Sequence, residues 1–228
     1  MDDVTRKCGE LQMTLLRQEL QNLKTCQFAF LTTAFTATGL LLGLVPKLSE
    51  SGYSWLGFLS PLVVVSPCSC FFFDKARTLT RIVGYYQYLE KLLTPPGFPA
   101  WETALSLSRD AMIPRGGKMR RFGRVMVMRQ PHGYWSLAYY TFLSLSLLCL
   151  AGAWKLAFAN GHLLSFRWSV LVSASMLVVG CVGRNLYLIW HLTVGANSYT
   201  ENYRKWETRL RPESDKREIS DLQPHRTE

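Results

Sequence analysis

Four stretches of this chain, 28–45, 55–73, 135–154 and 168–182, contain no Asp, Glu, Lys or Arg. No other feature limits the fold so strongly. A helix needs about 20 mostly apolar residues to cross about 30 Å of hydrocarbon, and each stretch comes close to that length. The fourth is the shortest, but Arg184 can snorkel to the interface and the helix can run on through Tyr187 and Trp190. Trp55, Phe73, Tyr134, Trp135, Trp154, Trp168 and Trp190 sit at the block edges, where aromatic rings favour the membrane–water boundary. Bulk composition hides this pattern, since 48% hydrophobic residues would also suit a soluble domain.

Orientation follows from the cations. All but Lys47, Lys155 and Arg167 of the 26 Lys and Arg residues fall on one side of the four stretches. The positive-inside rule therefore predicts that both termini are cytoplasmic. The net charge of +10 reads mainly as this orientation signal, with anionic lipid as a partner. Nucleic acid is not needed to explain it. The first 25 residues are polar and charged, so the first span is expected to serve as its own insertion signal. The six cysteines (Cys8, Cys26, Cys68, Cys70, Cys149, Cys181) lie in spans or on the cytoplasmic side and suggest no disulfide framework. Cys68 and Cys70 read as small packing residues.

The expected fold is all-α and integral to the membrane, with four transmembrane helices and a cytoplasmic bundle built from extensions of spans two and four. Residues 1–27 read as a cytoplasmic amphipathic helix, with Met13, Leu16, Leu20 and Leu23 at steps of three and four. Residues 28–73 form the first transmembrane hairpin. Residues 74–133 form a cytoplasmic helical hairpin and a basic segment. In the first arm Leu79, Ile82, Val83, Tyr86, Leu89 and Leu93 line one side. Thr94-Pro95-Pro96-Gly97 ends that arm, and a second helix is expected over 99–112, followed by a short strand over 122–128. Residues 134–192 form the second transmembrane hairpin. Residues 193–211 continue span four as an amphipathic helix carrying Tyr199, Tyr203, Trp206 and Leu210, and 212–228 has the composition of a disordered tail.

Three groups of residues are functional candidates. Thr32, Thr36, Gly39 and Gly43 share a face of span one, and the G-x-x-x-G pair permits close backbone approach, for helix packing or for a pore-lining hydroxyl track. Pro61 and Pro67 in span two free the carbonyls of Gly57 and Val63, making a kink or hinge. Arg115, Lys118, Arg120, Arg121, Arg124 and Arg129 form a stretch without acids that suits anionic lipid head groups or a soluble anionic ligand. Arg184 and Asn185 add a polar pair near the inner end of span four.

Enzyme chemistry finds little support, and no cofactor or metal is expected. The spans hold no carboxylate. His132, His162, His191 and His225 are scattered without ligand spacing. Gly116-Gly117-Lys118 ends like a phosphate loop, but Met119 replaces the Ser or Thr that chemistry needs. Two functions remain. One is a homo-oligomeric, ion-permeable pore or membrane effector, gated by its cytoplasmic helices, with Thr32, Thr36, Ser60, Ser66 and Ser69 as its polar track. The other is a membrane anchor or scaffold holding a cytoplasmic protein through Tyr199, Tyr203 and Trp206. The layout of short external loops, a long second span and cytoplasmic helices loosely resembles small bacterial membrane proteins, including membrane effectors of antiphage systems. That resemblance implies a bacterial inner membrane.

Overall fold

The computed structural model describes residues 3–49, 53–94, 104–105, 133–159 and 165–210. Among them all regular structure is helical, and four stretches are long and apolar enough to cross a membrane: Arg6–Leu42, Ser54–Leu93, Tyr134–Ala159 and Phe166–Thr193. The expected basic segment and tail lie outside the described residues. Of the expected helix 99–112 only 104–105 are described, and both are helical.

α1 (Asp3–Leu42) is one unbroken helix of 40 residues, so the amphipathic segment and the first span are a single element. The reason is local. No Gly or Pro lies between Gly9 and Gly39 to interrupt the helix. It ends where the Gly43 N–H reaches the Gly39 carbonyl at 3.1 Å and the Leu44 N–H reaches Leu41 at 3.1 Å. α2 (Val45–Ser49) and α3 (Ser54–Leu59) follow, and α4 (Leu62–Leu93) runs for 32 residues.

The two prolines behave differently. Pro61 separates α3 from α4 and stands at the start of α4, where its fixed φ costs nothing. It cannot donate to the Gly57 carbonyl, and the Ser60 hydroxyl donates there instead, at 2.9 Å. Pro67 lies inside α4, which continues past it.

α5 (Gly133–Ala159) and α6 (Ser165–Thr193) complete the spans. α6 does not run on into the last helix, contrary to the sequence expectation. The N–H groups of Val194 and Gly195 both turn back to the Trp190 carbonyl, at 3.0 and 3.1 Å, and Asn197 donates to His191 at 3.1 Å. A Cβ on Gly195 would lie 2.8 Å from the His191 Cα, so this turn needs glycine. α7 (Tyr199–Leu210) then starts with the Glu201 N–H donating to the Ser198 hydroxyl.

α4 is the central helix and touches α1, α5, α6 and α7. Lipid is as apolar as leucine, so the spans are held by close packing rather than by water exclusion. Small residues mark the close approaches: Ala34, Ala138, Ala153 and Ala157 are fully or almost fully buried. Around them Phe72 packs edge-on to Phe73 and Phe142, with centroids 5.1 and 5.7 Å apart. At the opposite end of the spans Trp154, Phe158 and Trp168 form an aromatic cluster.

α1 and α4 are longer than a bilayer requires. At 1.5 Å per residue they measure about 60 and about 48 Å, against about 30 Å of hydrocarbon. Their surplus lies at the same end of the molecule, where Gly9 faces the Leu93 side chain. There Leu23, Leu79 and Val83 form a small core with Leu20, Ile82 and Tyr199 packed against it.

Candidate functional site

Thr32, Thr36 and Gly39 share one face of α1, Gly43 stands in the turn just past its end, and all four are exposed. The opposite face, with Ala34 and Thr38, is buried. A Cβ added at Gly39 would meet nothing within 4 Å, and one at Gly43 would meet only the Leu40 and Gly39 carbonyl oxygens. Among the described residues the glycine pair therefore makes no close helix contact within one chain. The Thr32 hydroxyl donates to the carbonyls of Phe28 and Ala29, at 3.1 and 3.0 Å, which satisfies it inside its own helix. Such a face can lie in hydrocarbon or against a second copy at little polar cost.

The remaining residues of the hydroxyl track do not join that face. Ser60 is bonded to Gly57. Ser66 and Ser69 are buried at a cavity between α4, α5 and α6. No continuous hydroxyl track runs through a single chain among the described residues. The candidate ligand cluster Arg115, Lys118, Arg120, Arg121, Arg124 and Arg129 lies outside them.

A second polar constellation joins α4 to α6. One guanidinium nitrogen of Arg184 donates to both carboxylate oxygens of Asp74, each at 2.8 Å. Both side chains are nearly half exposed, so this pair is worth less than about 1 kcal/mol. One turn deeper, the Cys70 and Cys181 sulfurs lie 3.9 Å apart. The Asn185 amide then donates to the Ser69 hydroxyl at 3.1 Å, and Ser69 donates to the Ser66 carbonyl at 2.8 Å. Asn185 Oδ1 and Ser66 Oγ are buried without a protein partner. The cavity beside them, about 10 Å³, has room for about one water molecule.

Sequence reasoning singled out Arg184 and Asn185 but did not pair them with Asp74 and Ser69, nor Cys181 with Cys70. These partners lie 110 or more residues away in the chain. A signal was present: Ser66, Cys70 and Asp74 recur at steps of four along one helix face.

At the polar end, α7 lies directly on α4. A Cβ on Gly84 would come within 2.8 Å of Asn202 Cβ and 2.9 Å of the Tyr203 backbone nitrogen. Glycine is required there by backbone approach. Trp206 donates its indole N–H to the Arg81 carbonyl at 3.2 Å and packs on Tyr85 with centroids 4.9 Å apart. Lys91 donates to the Tyr203 hydroxyl and to Glu207, at 2.9 and 3.1 Å, and these bonds hold its ammonium above the ordinary lysine range. Arg17 of α1 donates to the Tyr86 hydroxyl at 2.9 Å. Where the apolar and polar halves meet, a cavity of about 380 Å³ is walled by Phe28, Tyr134, Trp135 and Tyr199, with Lys24 at its lining.

No protein-family model, curated protein or solved structure matches this chain.

Proposed function

We propose that this chain is the subunit of a homo-oligomeric membrane protein that passes ions under the control of helices at its polar end. Its copies meet through Thr32, Thr36, Gly39 and Gly43. The observation that carries this reading is the open space over Gly39: among the described residues, the face suited to close helix packing has no intrachain partner. A pore would then be lined between copies by α1, since Ser66 and Ser69 are enclosed within each subunit.

In this reading the polar halves of α1 and α4, together with α7, form a cytoplasmic bundle, as the distribution of cations requires. α4 belongs to both bundle and membrane, so a shift at α7 reaches Pro61 along one helix. Arg115, Lys118, Arg120, Arg121, Arg124 and Arg129 contact anionic lipid or an anionic ligand at the base of that bundle. The scaffold reading fares less well, because Tyr199, Tyr203 and Trp206 are taken up in contacts with Trp135, α4 and each other's neighbours rather than left for a partner.

The test is reconstitution into sealed vesicles containing anionic phospholipid, with dye-reported cation and anion flux. Flux that falls when Gly39→Leu disrupts assembly supports the proposal. Tight vesicles that contain an intact oligomer would refute conduction and return the chain to the anchor class.

A further inference from the structure

Two thiols that are 111 residues apart in sequence are brought into contact between α4 and α6. Cys70 and Cys181 have their sulfurs 3.9 Å apart, and both side chains are only partly buried. Two further contacts join the helices nearby, the Asp74–Arg184 ion pair and the Asn185–Ser69 hydrogen bond, and in α6 both Arg184 and Asn185 lie on the polar side of Cys181. Each sulfur is one helical turn from a member of the ion pair, Cys70 from Asp74 and Cys181 from Arg184.

From this arrangement we infer that Cys70 and Cys181 are an oxidation site, converted by a small peroxide into a reversible disulfide that fixes α6 to α4. A disulfide needs an S–S distance of about 2.05 Å. Rotation of two side chains can close the remaining gap because both helices are already held at contact distance. Proximity of this kind replaces an encounter between thiols by a first-order step.

The chemistry balances with hydrogen peroxide as the oxidant. One thiol loses its proton, and its sulfur attacks a peroxide oxygen. The O–O bond breaks, giving a sulfenic acid and, with the released proton, one water. The second thiol then attacks the sulfenic sulfur, forming the S–S bond and releasing a second water. Two thiols are oxidised by two electrons, and one peroxide is reduced to two waters. Reduction by a small dithiol reverses the reaction by exchange.

The other cysteines lack this arrangement. Cys8 and Cys26 are exposed on α1, and no thiol contact is made by Cys68 or Cys149 among the described residues. Peroxide should therefore give different products at different positions: a cross-link at the pair, and uncoupled oxidation or no reaction elsewhere.

The experiment uses the full chain in lipid nanodiscs, treated with hydrogen peroxide, quenched, alkylated and mapped by peptide mass spectrometry. The expected result is a linked peptide pair containing Cys70 and Cys181, lighter by two hydrogens and restored to two free thiols by dithiothreitol. The Cys70→Ser variant should lose that linked pair while retaining the wild-type elution volume. Recovery of Cys70 and Cys181 as free thiols after peroxide has oxidised Cys8 or Cys26 would overturn the inference. So would conversion of either to sulfinic or sulfonic acid without a linked species. Because the decisive measurement is made on the unsubstituted chain, a folding defect in the variant cannot mask the outcome.

Discussion

Replacing Gly84 with Ala should release α7 from α4, although the same substitution stabilises most helices. In an open helix interior Gly→Ala gains about 0.5–1 kcal/mol, because Gly loses more backbone freedom on folding. At Gly84 the new methyl would lie 2.8 Å from Asn202 Cβ and 2.9 Å from both the Asn202 carbonyl carbon and the Tyr203 nitrogen. Two of these three are backbone atoms and cannot rotate away. Carbon atoms prefer about 3.5–4.0 Å, and a gap of about 0.5–1 Å elsewhere forfeits a quarter to a half of each contact. Overpacking of this kind costs about 1–3 kcal/mol. Moving α7 outward also weakens the Trp206 bond to the Arg81 carbonyl and the Tyr85 stack, whose hydrogen bond alone is worth about 1 kcal/mol. The net expectation is a loss of about 1–2 kcal/mol in docking, or about a tenfold rise in opening, since 1.4 kcal/mol is tenfold. Hydrogen–deuterium exchange in detergent measures it directly. Exchange over 199–210 should quicken about tenfold while 28–42 stays unchanged. Gly180→Ala, with nothing within 4 Å and away from the α1 face, is the control and should leave both segments as they are. Unchanged or slower exchange over 199–210 in Gly84→Ala would refute the close backbone approach.

Other substitutions test other contacts. Ser69→Ala should lower thermal stability by about 1–3 kcal/mol, because it strands the buried Asn185 amide, whereas Asn185→Leu should cost less by removing both polar ends at once. Differential scanning in detergent distinguishes them, and the reverse order would contradict the buried contact. Asp74→Asn should change stability by less than about 1 kcal/mol, because the pair with Arg184 is half exposed; a loss several times larger would mean that the pair is desolvated. Ser60→Ala should reduce stability by about 1 kcal/mol through the orphaned Gly57 carbonyl at the Pro61 break, and equal melting points would show that carbonyl to be satisfied otherwise.

Much of the helical architecture was legible because its causes are local. Four charge-free runs require four apolar helices, and the period-3.6 stripe through Leu79, Val83 and Tyr86 correctly marked the buried side of the α4 extension. The errors came where a few residues redirect the chain. Span four and α7 share a plausible helical periodicity, yet Gly195 allows a turn that separates them. The cytoplasmic and membrane parts expected to meet at residue 27 belong to one helix, because polarity changes there but no Gly or Pro accompanies the change. The seam between α4 and α6 was only half visible. Arg184 and Asn185 stand out as polar residues beside an apolar run, while Asp74, Ser69 and Cys70 acquire meaning only from a long-range contact. Composition likewise shows which hydroxyls exist but not that Ser66 and Ser69 are buried within the subunit.

The most direct test of self-association is native mass spectrometry of the unsubstituted chain released from lipid nanodiscs, beside Gly39→Leu and Gly43→Leu. Among the described residues no side chain lies within 4 Å of a Cβ added at either glycine, although one at Gly43 would sit 3.2 Å from the Leu40 carbonyl oxygen; in both variants the larger side chains would hold the α1 helices of two copies apart. Self-association through this face predicts a discrete multimer for the unsubstituted chain and a shift toward monomer in both variants. A monomer in all three samples would contradict the oligomer, and an unchanged multimer in all three would place its interface elsewhere than on Thr32, Thr36, Gly39 and Gly43.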